Sequence, residues 1–116
     1  MSSPGSSCPK KPTVLVIGSL NMDLATHIPR VPIAGETLLA HADGFRSAPG
    51  GKGANQAVAL ARLGGDKVRC AMVGMVGDDG FGKDLRGALQ REGVDVTAVG
   101  VEEGKSSGVA VILVRS

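Results

Sequence analysis

A chain of 116 residues with 42% apolar and 21% charged residues has room for one domain with a modest core, which excludes a wholly disordered protein. Its net charge of +2 is spread along the chain, which argues against nucleic acid or an anionic membrane surface as a partner, and no apolar run approaches the ~20 residues that span a bilayer. Two cysteines, Cys8 in a polar stretch and Cys70 in an apolar one, have neither metal-ligand spacing nor the pattern of a disulfide framework, so a reducing, cytoplasmic setting is expected.

Residues 1–12 are rich in Ser, Pro and Lys and are predicted to form a disordered tail; they lack the apolar segment of a secretory signal, although a short organelle transit segment has a similar composition. Val14-Leu15-Val16-Ile17 is a continuous apolar run ended by Gly18, the pattern of a strand buried on both faces of a parallel sheet. It delivers Asn21 and Asp23 beyond a strand end, where ligands collect in open α/β sheets. Asn and Asp are also common turn residues, and the residue types by themselves favour the turn. Residues 24–49 lack a helical period and contain Pro29, Pro32, Gly35 and Gly44, which predicts extended pieces over 24–28, 36–42 and 44–48 in a small lid or oligomerisation flap. His27 and His41 stand apart from each other and from any cysteine and are expected on the surface or a sheet face.

Pro49-Gly50-Gly51-Lys52-Gly53-Ala54-Asn55-Gln56 then places three glycines in four positions directly before an alanine- and leucine-rich run closed by Gly64. This is a glycine-rich loop feeding a helix over 54–63, whose first N–H groups point outward at the positive end of the helix dipole. A P-loop is excluded, because Arg46 and Gly53 stand where it needs Gly and Ser or Thr. The dinucleotide pattern fails as well, with Gln56 at its third glycine. A second buried strand is predicted over 68–77, with Cys70 as a small core hydrophobe, followed by a helix over 81–92 and a short strand over 94–101. Asp78 and Asp79 sit at that helix start, where acids cap free N–H groups and face the dipole, a simpler role than metal or acid/base chemistry. Gly108-Val109-Ala110-Val111-Ile112-Leu113-Val114 reads as a third strongly apolar strand, with no helix after it to cover it.

Four motifs in register carry a resemblance: Gly18-Ser19-Leu20-Asn21-Met22-Asp23, Gly35-Glu36-Thr37, Gly50-Gly51-Lys52-Gly53-Ala54-Asn55-Gln56-Ala57 and Val76-Gly77-Asp78-Asp79-Gly80-Phe81-Gly82. Together they resemble the N-terminal part of the phosphofructokinase-B type of carbohydrate kinases, in its ribokinase branch. The resemblance implies an α/β fold, a ribokinase-like layered α/β/α sheet with a small β lid whose strands lie within about 24–49 and 108–112. It implies that Asn21, Met22, Asp23, Gly51, Lys52, Gly53, Ala54 and Asn55 hold the sugar, D-ribose or a relative, and it leaves Asp78 and Asp79 structural. It further implies ATP, Mg2+ and a monovalent cation such as K+ as cofactors, and a homodimer joined through the lid. The family's catalytic aspartate, the Gly-Ala-Gly anion hole beside it and the ATP and monovalent-cation sites belong to a later half, and nothing in residues 1–116 matches them. A non-catalytic sugar-binding or lid-interaction role is therefore the alternative to ribose phosphorylation, with another sugar or nucleoside kinase as a third reading. The isolated chain is expected to be inactive as a kinase and to associate through its lid.

Overall fold

A computed structural model describes residues 10–115, so most of the tail expected over 1–12, including Cys8, lies outside the described residues. Two three-stranded sheets share the chain. The first, of order β1-β4-β5, is parallel and consists of β1 (Thr13–Ile17), β4 (Arg69–Gly77) and β5 (Val99–Glu102). The second, of order β3-β2-β6, consists of β2 (Asn21–Ile28), antiparallel to β3 (Arg46–Gly50) and parallel to β6 (Gly108–Arg115). The mixed α/β layering and the separate small sheet agree with the expected fold class.

Alternation along β4 explains where the core sits. Cys70, Met72 and Val76 point to one side and are buried, while Met75 on the other side is exposed. Helix α1 (Lys52–Gly64) lays Ala54 and Ala57 on the buried side, and α2 (Gly80–Arg91) adds Leu85 and Leu89. Small residues on α1 let its backbone approach the sheet closely, whereas α2 fills the remaining space with leucines. A bidentate pair, Arg62 Nε to Glu92 Oε1 at 2.7 Å and Arg62 Nη2 to Glu92 Oε2 at 2.5 Å, joins the end of α1 to the end of α2 on the surface.

Several expectations are corrected. β1 is not buried on both faces: Val16 is buried, but Leu15 and Ile17 on the opposite side are 59% and 77% exposed. Both helices pack on one face, and among the described residues nothing covers the other. No strand forms over 36–42. Gly35 adopts φ +77°, the Glu36 N–H donates to the Ile33 carbonyl, and Arg30 and Glu36 form an ion pair, so the segment folds into a side-chain-pinned turn. The strand expected over 94–101 begins only at Val99, because the Asp95 carboxylate accepts from both the N–H and the hydroxyl of Thr97 and bends the chain. The apolar run of β6 pairs with β2 in the second sheet, the run in which the resemblance placed a lid strand over 108–112. Cys70 is buried as expected, its thiol pushed up by desolvation and directed at the Ala57 carbonyl. His41 is exposed and His27 lies half-buried on β2, linked by the His41 N–H donating to the His27 carbonyl.

Candidate functional site

Two passages between the sheets, residues 18–20 and Gly51, meet where β1 ends and α1 begins. Leaving β1, the chain passes through Gly18 and Ser19 and enters β2 at Asn21, so the segment read as a turn is the first part of a strand. A strand alternates its faces. Asn21 and Asp23 therefore share one face, partly exposed, and Met22 between them turns into the core with 3% exposure. Only the backbone of Met22 is left for a ligand.

Opposite Asn21 in the antiparallel register stands Gly50, and opposite Asp23 stands Ala48. The Asp23 carboxylate occupies the space that a side chain at position 50 would need: a Cβ there would lie 2.9 Å from Asp23 Oδ1. Gly51 follows with φ +97°, in the region that favours glycine, and a Cβ on it would meet the Ser19 carbonyl at 2.6 Å. Gly53 in turn packs backbone to backbone on Gly18, with room for no side chain, since a Cβ would lie 2.7 Å from Gly18 Cα. These three glycines set the start of α1 against the end of β1 and the root of β2.

Helix α1 begins without a side-chain cap and without an acid in its first turn. The Ala54 N–H donates to the Ser19 carbonyl at 3.0 Å and the Asn55 N–H to the Gly51 carbonyl at 2.9 Å. Ala54 is buried and its N–H is engaged, so its part is structural contact beneath the site, whereas Lys52 and Asn55 are exposed at the helix entrance. Asn55 borders a cleft with Pro49, Arg62 and Glu92, while the Asn21 carboxamide and the Asp23 carboxylate lie on β2 beside the glycine junction, so the candidate residues supply one carboxylate, two carboxamides and one ammonium around the positive end of a helix. Such a set accepts from and donates to neighbouring hydroxyls at once, which suits a polyol. Among the described residues no group of three His, Cys, Asp or Glu side chains could hold a metal ion.

Asp78 and Asp79 lie elsewhere, bordering a cleft of about 330 Å³ with Arg86 and Val101 that none of the candidate sugar residues lines. Asp79 caps α2 as expected, its Oδ1 accepting from the Gly82 N–H at 2.8 Å. Both acids do more than the sequence reading assigned. Asp78 Oδ2 accepts from the Gly104 N–H, and Asp79 binds the hydroxyl and the N–H of Ser107. Hydrogen bonds from Ser107, and then from Gly82, hold the Asp79 carboxyl below the usual carboxylate range. Ser107 escaped the sequence reading because a lone Ser in a polar turn, 28 residues from its partner, carries no local signal.

Comparison with known proteins gives this geometry a context. The chain is 46% identical over 103 residues to a ribokinase of Schizosaccharomyces pombe, covering 88% of this chain and 32% of that protein. It is 42% identical over 86 residues to fructokinase-2 of Solanum habrochaites, covering 74% of this chain and 25% of that protein. The solved structure of Arabidopsis thaliana ribokinase complexed with ribose and ATP superposes with a TM-score of 0.81 at 35% identity, over 92% of this chain and 33% of that one. The chain therefore spans about a third of the length of the ribokinases it matches. Since the model of the pfkB family carbohydrate kinases matches residues 11–116, and fold and motifs agree with it, the chain belongs to that family.

Proposed function

We propose that residues 13–116 form the sugar-binding and lid part of a kinase that phosphorylates D-ribose on its 5-hydroxyl with ATP. The observation that carries this reading is the convergence of Asn21 and Asp23 on one face of β2 with the glycine junction and the open N-terminus of α1. In it, Asp23 accepts from adjacent sugar hydroxyls, Asn21 and Asn55 donate and accept around the ring, and Lys52 and the loop N–H groups donate to hydroxyl oxygens. Gly51 and Gly53 keep the backbone bare enough for that approach. Similarity to ribokinases, one of them solved with ribose and ATP, supports the substrate and the phosphoryl donor. The same reading includes Mg2+ and a monovalent cation, for which the described residues supply no ligand cluster, a cytoplasmic location, and a homodimer joined through the exposed lid sheet. A fructose kinase is the second reading, favoured by the identity to fructokinase-2. A non-catalytic sugar-binding or lid-interaction role for this chain is the third.

Titration calorimetry of the chain with D-ribose and D-fructose, paired with a coupled ATP assay on a longer protein that carries it together with the family's later half, tests these readings. Asp23→Asn is expected to weaken ribose binding by about 1.5–3 kcal/mol, since it removes a charged acceptor. Unchanged ribose affinity in that variant would overturn the role of Asp23. Tighter binding of fructose than of ribose would move the assignment to the second reading, and a longer protein that carries residues 1–116 and the family's later half, yet binds sugar without phosphorylating it, would move it to the third.

A further inference from the structure

Ser107 is the buried polar residue of the lid root, 5% exposed in the turn between β5 and β6, and its hydrogen-bonding capacity is directed at two other elements. Its Oγ accepts from the Gly77 N–H at the end of β4 at 3.0 Å and donates to Asp79 Oδ1 at 2.7 Å, while its own N–H donates to Asp79 Oδ2 at 2.8 Å. Capping α2 needs one carboxylate oxygen. Asp79 engages both, and Asp78 adds its N–H to the Lys105 carbonyl and its Oδ2 to the Gly104 N–H. The turn is also seated by shape, because a Cβ on Gly77 would collide with the Ser107 N–H at 2.5 Å. Directly after Ser107 comes Gly108, the register partner of Asn21, and the Asn21 carboxamide oxygen fills the space a side chain at 108 would take.

We propose that Asp79 and Ser107 are positioning residues that fix the root of β6 and, through Gly108, the carboxamide of Asn21 that faces the sugar. The inference rests on the sugar-binding reading for its consequence in affinity, but the placement of Asn21 is a separate, measurable quantity. Removing the Ser107 hydroxyl strands the buried Gly77 N–H and takes from Asp79 Oδ1 one of its two donors, leaving the Gly82 cap, so the turn loses part of its seat while β1, β4 and the helices keep their packing. The exposed Arg62–Glu92 pair lies at the far ends of both helices and touches none of these groups.

The test is nitrogen-15 NMR on the full chain, following the Asn21 side-chain amide and the Gly108 and Ala110 N–H groups. In Ser107→Ala these signals are expected to shift and the two backbone amides to exchange about tenfold faster, with a parallel loss of D-ribose affinity. Ser107→Thr, which keeps the hydroxyl, is expected to restore both, and Arg62→Ala to leave them in place. If Ser107→Ala does not fold, Asp79→Asn, which keeps one capping oxygen, is read in the same way. A folded Ser107→Ala chain with unmoved Asn21 and Gly108 signals overturns the proposal, as does an equal shift in Arg62→Ala. Should the wild-type chain fail to bind D-ribose while Asn21 responds to Ser107→Ala, the positioning of Asn21 stands and the sugar-binding reading falls.

Discussion

The β1-β4-β5 sheet and the β3-β2-β6 sheet each contain a strongly apolar strand, β4 and β6, yet these two strands are held by different forces. β4 buries Cys70, Met72 and Val76 under two helices, whereas β6, with Val109, Val111, Ile112 and Leu113, exposes every one of those four side chains by 41% or more. The lid is secured along β2 by an eight-residue parallel register on one side and a five-residue antiparallel register on the other, and at its root by glycine contacts and the Asp79–Ser107 clamp. Apolar burial stabilises by roughly 25 cal/mol per Å², while a backbone hydrogen bond exchanged against water contributes about 1 kcal/mol or less. β6, which relies mainly on the second, opens more easily than β4, which relies on the first. That asymmetry suits the lid role proposed for the β3-β2-β6 sheet.

The largest expected effect is in the parallel sheet's core. Leu85→Ala, at a side chain 1% exposed between α2 and the sheet, is expected to cost about 2–5 kcal/mol in urea unfolding. Gly53→Ala comes next, because its Cβ has no space against Gly18, and an overpacked contact of this kind costs about 1–3 kcal/mol. The same change displaces the α1 entrance, so sugar affinity should fall with it.

Acid should act on the lid root more than on the core. Hydrogen bonds depress the folded-state pKa of Asp79 below the value of about 3.9 expected in the unfolded chain, so its stabilisation is complete above that value and is lost as pH falls through the lower, folded one. The melting-temperature gap between the wild type and Ser107→Ala is therefore expected to stay constant from pH 7 to about 5 and to narrow below about pH 4. A gap that widens on acidification would contradict the sign of the Asp79 shift. The smallest effect belongs to Val111→Ser, an outward lid position, expected to lie within about 0.5 kcal/mol by the same urea measurement. If it matched Leu85→Ala, the division between a packed sheet and a paired sheet would not hold.

Local chemistry explains which parts could be read in advance. The glycine-to-alanine switch at 53–54 and Gly64 bracket α1, which runs over Lys52–Gly64, and the acids before Phe81 announce α2. Periodicity also located β4, because its apolar run is bounded by glycine and charge. What escaped depends on partners distant in sequence. Whether Leu15 and Ile17 are covered depends on which elements reach that face, and the run itself reads the same whether they are covered or not. The run 36–42 lacks a partner strand altogether, which no residue within it reveals. At the site, alternation alone separates Asn21 and Asp23 from Met22 once β2 is known to be a strand, but the turn-forming character of Asn and Asp concealed that strand's first residues.

The order of strands in the lid also bears on how the chain is made. β2 ends at Ile28, while its parallel neighbour β6 begins at Gly108. At about 5–20 residues per second of synthesis, one edge of β2 waits roughly 4–16 s for its mate, with only β3 beside it in the interim. Throughout that interval its N–H and C=O groups are open to any other extended chain nearby. Crowded polysomes translating this message thus present a window for mispairing between nascent copies, one that closes only as the last eight described residues emerge.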